Sequence, residues 1–275
     1  MHYDPLDPAQ CVLRNILERN SAEKPEARFV TFEDGDCWTR RETLRQAYAA
    51  ANTLREAGIR QDGTVAAALP NDAGFLRAWW GAACLGAALV PVNPALRGRL
   101  VTHMFESARP QVLIAEDDFR KRVEEAGAPK GVTVLDPSDL IGTDRSAPRL
   151  EHPIQAWDTV CLAMTSGTTG PSKVVRMTYA HCRNAGEHGL GVWDMTEADM
   201  LLCDVPLIHV AALYGVHAAV GNRCAIAVRS RPALREYGRW RGTRGPRSPS
   251  STAPWSTLWS RSQLAAPRRH TSCGW

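Results

Sequence analysis

The 275-residue sequence has no C-x-x-C pair among its eight cysteines, at positions 11, 37, 84, 161, 182, 203, 224 and 273. Several of them lie inside apolar runs, so they are expected to be reduced, buried thiols. There is no basic stretch followed by an apolar run at the start; residues 1–10 carry Asp4, Pro5, Asp7 and Pro8, and export is not expected. No apolar segment reaches the roughly twenty residues that a bilayer demands. The longest, 78–92, is fifteen residues, is rich in alanine, and reads as a buried helix leading into a strand. A cytoplasmic protein is expected. Metal patterns are missing too: His181 and His188 are seven apart and His209 and His217 eight apart, neither an HExxH arrangement, so no metal is assigned. Gly189-Leu190-Gly191 lacks the third glycine and the preceding strand of a dinucleotide fingerprint and reads as a helix-ending turn.

Charge is unevenly distributed. From residue 229 onward there are ten arginines, no lysine and one acid, Glu236, a balance of +9, which leaves −5 on the first 228 residues. An acidic body argues against nucleic acid as a partner. The same 47-residue tail holds four tryptophans, five prolines and eight serines without period 2 or 3.6, so it is expected to be disordered. Such a composition is what a GC-rich gene yields out of frame, and a frameshift near residue 229 is the expectation. An arginine-rich arm for single-stranded nucleic acid is the competing reading.

The feature that carries chemistry is Thr165-Ser166-Gly167-Thr168-Thr169-Gly170-Pro171-Ser172-Lys173. Glycines let the backbone turn its N–H groups toward an anion, hydroxyls add donors, and a terminal lysine supplies a point charge. Apolar 159–164 before it and 174–177 after it read as strands. A P-loop would need glycine at Ser172 and Ser/Thr at Val174, so this is a different phosphate loop.

The loop resembles the phosphate-binding signature of the adenylate-forming superfamily, which includes acyl-CoA synthetases. Leu69-Pro70-Asn71, Phe75, the Gly81 to Gly86 stretch, Pro91-Val92-Asn93-Pro94, Leu96 and Pro206-Leu207-Ile208-His209 follow in the family's order. The likeness covers roughly residues 10 to 228, an incomplete N-terminal domain spanning 1–228 before the tail 229–275. Ser172 and Val174 replace the Pro and Gly that usually flank the lysine, which makes the loop's exit less flexible. Residues 91–98 resemble the corresponding run of ligases for small or carnitine-like acids.

The resemblance implies an ATP-dependent acyl-CoA ligase: a carboxylate attacks the α-phosphorus of ATP, and the thiol of coenzyme A then displaces AMP. It assigns Thr165, Ser166, Thr168 and Thr169 to phosphate hydrogen bonds, Gly167 and Gly170 to backbone approach, Lys173 to phosphate charge, and His209 to shaping the acyl pocket, with a solvated or core histidine as the alternative. Arg176, Tyr179 and His181 follow the loop closely enough to approach phosphates or to serve the surface. The family's magnesium ligand, adenine and ribose segments, hinge and C-terminal domain are not recognisable, so the isolated chain is expected to be inactive. A non-catalytic nucleotide-binding module with a basic tail is the other reading.

Hydrophobic periodicity predicts the scaffold. A helix over 11–20 precedes a hairpin of 28–33 and 37–39 turning at Asp34-Gly35, and a helix over 41–57 is stopped by Gly58. Strands at 65–69, 88–92, 112–115 and 132–135 then alternate with helices at 73–85, 96–108 and 118–126, and 136–153 is a loop. After the phosphate loop come a helix over 180–190, a strand over 200–205, part of a helix at 216–220 and a strand at 224–228. Repeated βα units imply an α/β fold with a parallel sheet covered on both faces.

Overall fold

The computed structural model describes residues 4, 6–127, 131–165, 172–189, 195–230 and 257–259. Two short helices, α1 (Pro8–Cys11) and α2 (Leu13–Glu23), lead into the hairpin β1 (Arg28–Phe32) and β2 (Cys37–Thr39). The hairpin turns where expected, with Gly35 at φ 94°, a conformation that glycine adopts without steric cost. Thr39 ends β2 and caps α3 (Arg40–Glu56), its side chain accepting from the Glu42 N–H.

The βα rhythm follows in order: β3 (Thr64–Ala68), α4 (Ala73–Leu85), β4 (Ala88–Pro91), α5 (Arg99–Ala108), β5 (Val112–Ala115), α6 (Asp117–Glu125) and β6 (Thr133–Leu135). After a connection containing one 3-10 turn, Pro137–Leu140, come β7 (Thr159–Met164), β8 (Val174–Thr178), α7 (Tyr179–Asn184), β9 (Met200–Cys203), α8 (Val210–Gly221) and β10 (Ala225–Val228). The helix expected over 180–190 changes character at its middle. Ala185–Gly189 is a π-helical turn, and a Cβ on Gly186 would collide with the Tyr214 carbonyl, so this turn lies directly against α8.

There are two sheets where sequence periodicity predicts one. The larger runs β6-β5-β3-β4-β7-β8, parallel except for β8, which returns antiparallel to β7. The smaller runs β11-β9-β10-β1-β2, where β11 is Thr257–Trp259, with β10 parallel to both β1 and β9. Val30 lies opposite Ile226, so the opening hairpin is completed by strands from the far end of the described body. Local periodicity carries no information about such a pairing. The last strand, β11 (Thr257–Trp259), comes from the segment for which disorder is expected and adds antiparallel to the otherwise free edge of β9.

Alternation along the strands separates the packing layers. In β3, Val65 and Ala67 join a core shared with Phe29, Val30, Trp79, Trp80 and the other residues between the two sheets, whereas Ala66 and Ala68 face α5 and α6 on the outer side. Helices α2, α3, α4, α7 and α8 therefore form a middle layer common to both sheets. Six cysteines are buried free thiols, and burial pushes those of Cys84, Cys161 and Cys203 up to about 12, leaving them inert as nucleophiles.

Two substitutions probe this middle layer. A Cβ on Gly81 would lie 2.7 Å from the Ala50 Cβ and 3.1 Å from its backbone, where α4 crosses α3. Gly81→Ala therefore loses the ~1 kcal/mol that alanine normally adds inside a helix and is expected to destabilise by ~1–3 kcal/mol in urea unfolding. His217 on α8 is fully buried, and its Nε2–H donates to the Cys11 carbonyl at 2.6 Å. Burial depresses its pKa from 6.5 to about 3, so between those values the unfolded chain binds a proton that the folded chain refuses. Its contribution is complete above pH 6.5 and is lost as pH falls toward 3, by up to ~1.4 kcal/mol per pH unit. Over that range the wild-type urea midpoint should fall more steeply than that of His217→Gln, and equal slopes would remove His217 as the cause.

Candidate functional site

Strands β3, β4, β7 and β9 all end on the same side of their sheets, and the segments expected to matter are the connections that leave those ends. In open parallel sheets this carboxyl edge is where ligands bind. The loop after β7 is a hairpin connection, because β7 and β8 pair directly, with Met164 opposite Val174. Its stem is closed by two bonds: the Thr165 N–H donates to the Lys173 carbonyl, and the Lys173 N–H donates to Thr165 Oγ1, both at 2.9 Å. The Thr165 hydroxyl proton remains available to donate, and Lys173 is exposed at the exit. Ser166, Gly167, Thr168, Thr169 and Gly170 lie outside the described residues.

The three residues just beyond the loop turn elsewhere. Arg176 donates to Thr159 Oγ1 at 2.9 and 3.2 Å, at the far end of β7 from the loop. Tyr179 is buried and donates its hydroxyl proton to the Ala83 carbonyl at 3.0 Å, while His181 Nε2 is 2.9 Å from the Tyr214 hydroxyl. The structure gives all three positions in the scaffold.

His209 is the N-cap residue of α8 and is exposed, with its backbone N–H bonded to the Pro206 carbonyl at 2.9 Å. Its segment is held by Asn71, whose role sequence reading missed. The Asn71 amide donates to the Val205 carbonyl at 2.8 Å and accepts the Leu207 N–H at 2.6 Å. One nearly buried side chain thus fastens the connection after β3 to the turn that presents His209. The advance signal was only that Asn71 and His209 each belong to a family landmark, Leu69-Pro70-Asn71 and Pro206-Leu207-Ile208-His209, which says nothing about contact between them.

A cavity of about 780 Å³ opens at the carboxyl ends of β1, β3, β5, β6 and β10. Glu33, Asp34, Asp36, Asp72, Glu116 and Asp136 line it, with Arg77 as the opposing charge. Burial, with Glu116 adding to it, raises the Asp72 carboxyl above its ordinary value. Neither Thr165, Lys173 nor His209 lines this cavity, and an acid-rich wall repels phosphate. Among the described residues no group of three His, Cys, Asp or Glu side chains could hold a metal ion, and no helix is long and apolar enough to cross a membrane.

These features define an α/β domain with two sheets about a shared helical layer and its functional loops at the carboxyl edge. A family profile described as "AMP-binding enzyme" matches residues 17–244, and the chain belongs to that adenylate-forming family. The matched span runs past Arg229, where the composition changes.

The long-chain-fatty-acid–CoA ligase FadD13 of Mycobacterium tuberculosis is 32% identical over 185 residues, covering 61% of this chain and 35% of that protein. Long-chain fatty acid transport protein 6 of Homo sapiens is 25% identical over 227 residues, covering 75% and 36% respectively. The chain thus spans little more than a third of the length of either relative. Among solved structures, the N-terminal domain of FACL13 from Mycobacterium tuberculosis superposes with a TM-score of 0.71 at 22% identity, covering 82% of this chain and 58% of that one. ATP-bound MatB from Rhodopseudomonas palustris gives 0.74 at 19% identity, covering 84% and 48%.

Asn71 offers a direct check on the site's framework. Asn71→Leu leaves the Leu207 N–H and the Val205 carbonyl without their partner, and each such buried group costs ~1–3 kcal/mol. A fall in unfolding free energy of ~2 kcal/mol or more is expected in urea titration, with faster amide exchange at Leu207. Unchanged exchange there would show that the turn holds itself.

Proposed function

We propose that this chain is the N-terminal portion of an ATP-dependent acyl-CoA ligase and contributes the phosphate-binding part of its active site. The observation that supports the reading is the closed Thr165–Lys173 stem at the carboxyl end of β7, inside the matched family span. In the proposed reaction a substrate carboxylate attacks the α-phosphorus of ATP, the bond to pyrophosphate breaks, and an acyl-adenylate forms. The coenzyme A thiol then attacks the acyl carbonyl and AMP leaves. Both steps move negative charge, so the protein's part is positioning and electrostatic stabilisation.

In this reading Thr165, Ser166, Thr168 and Thr169 donate to phosphate oxygens, Gly167 and Gly170 permit close backbone approach, and Lys173 neutralises charge. His209 shapes one wall of the acid pocket from the start of α8. Magnesium accompanies ATP in the family, and we assign it no ligand here. Because the adenine, ribose and hinge segments are not recognisable in the sequence, this chain binds ATP without completing the reaction. A cytoplasmic location belongs to the same reading.

Calorimetry with ATP and pyrophosphate exchange with short, carnitine-like and long-chain acids together test it. ATP affinity without exchange is the expected result, and Lys173→Ala should weaken that affinity by about tenfold or more, the loss of a charge-assisted contact. Equal affinity in wild type and Lys173→Ala would remove the stem from phosphate binding. Exchange activity would overturn the claim that this portion is insufficient for catalysis.

A further inference from the structure

We infer that His103 is a positioning residue for the phosphate loop, acting through the Ser172 carbonyl; the inference rests on the reading of that loop as the ATP-phosphate site. His103 is half-buried on α5, and its Nε2 lies 2.6 Å from the Ser172 oxygen, joining segments 69 residues apart. A carbonyl oxygen can only accept, so Nε2 carries the proton and donates it. The Ser107 hydroxyl, one turn along the same helix, is 3.4 Å from that nitrogen and is the weaker contact.

The platform beneath this bond is fixed. Val101, Met104, Phe105 and Ala108 of α5 are buried against the outer face of the larger sheet, so His103 is presented from a packed helix. The receiving strand is not fixed in the same way, since β8 is an edge strand paired only with β7. At the loop's exit, Thr165 holds Lys173 from the β7 side by two bonds, and His103 holds Ser172 from the helix side. Restraining the Ser172 carbonyl fixes the plane of the Ser172–Lys173 peptide, and with it the direction in which the Lys173 side chain leaves the backbone. A point charge on a flexible stem needs that restraint to meet phosphate in one geometry. The exit here has serine and valine flanking the lysine, and an external clamp is compatible with both because it grips backbone.

The test uses the full chain with His103→Leu, which removes the donor, His103→Gln, which restores an N–H donor, and Ser107→Ala as a control. Two readouts are taken beside thermal melting: the rate of trypsin cleavage after Lys173 relative to other sites, and ATP affinity by calorimetry. His103→Leu should speed cleavage after Lys173 selectively and weaken ATP binding about five- to tenfold, the loss of one hydrogen bond, while His103→Gln recovers most of both and Ser107→Ala changes neither. Unchanged cleavage after Lys173 in His103→Leu overturns the inference. Faster cleavage with unaltered affinity, in a wild type that binds ATP, does so as well. A wild type without ATP affinity counts against the proposed function alone, and selective proteolysis still decides whether His103 holds the stem. If His103→Leu melts globally, His103→Ala provides the same comparison.

Discussion

The close approach of α3 and α4 is the constraint on which the rest of the molecule depends. Gly81 presents only hydrogen to Ala50, so the two helices meet nearly backbone to backbone and fit between two sheets. That middle layer is what makes one body of strands that belong to separate hairpins and βα units. With β3, β4 and β7 aligned in one sheet and β1, β9 and β10 in the other, the connections leaving their carboxyl ends are gathered along one edge. A thicker helix contact would separate the sheets and disperse those connections.

Polar side chains then fix individual segments of that edge. Asn71 fastens the turn before His209, Asp72 caps α4 by accepting from the Phe75 N–H, and Thr165 closes the β7–β8 hairpin with its backbone and hydroxyl. Each bond satisfies a group left over where a regular element ends, which explains why the site's framework is built from caps and turns. The acid-lined cavity near Arg77 occupies the same edge but a different stretch of it from the Thr165–Lys173 stem.

Several of these elements were legible from residue order. The alternation from Thr64 to Leu135, the turn at Asp34-Gly35 and the end of α3 before Gly58 follow from periodicity and glycine chemistry, because they are set by neighbours a few residues away. The π-helical turn at Ala185–Gly189 was not, since it depends on where Tyr214 sits. Arg176 and Tyr179 illustrate the same limit: residue order left open whether they approach phosphate or serve the surface, and tertiary packing set Arg176 against Thr159 and Tyr179 against the Ala83 carbonyl of α4.

By itself the sequence determined the class of fold and the family, because hydrophobic alternation and ordered motifs are carried by contiguous residues. Tertiary structure alone decided that the hairpin β1–β2 completes a second sheet with β10, that Asn71 holds the His209 turn, and that His103 reaches Ser172. Those contacts join residues far apart in the chain, and the physical reason they escape a linear reading is that their energy comes from geometry which exists only after the sheets have assembled around their common helices.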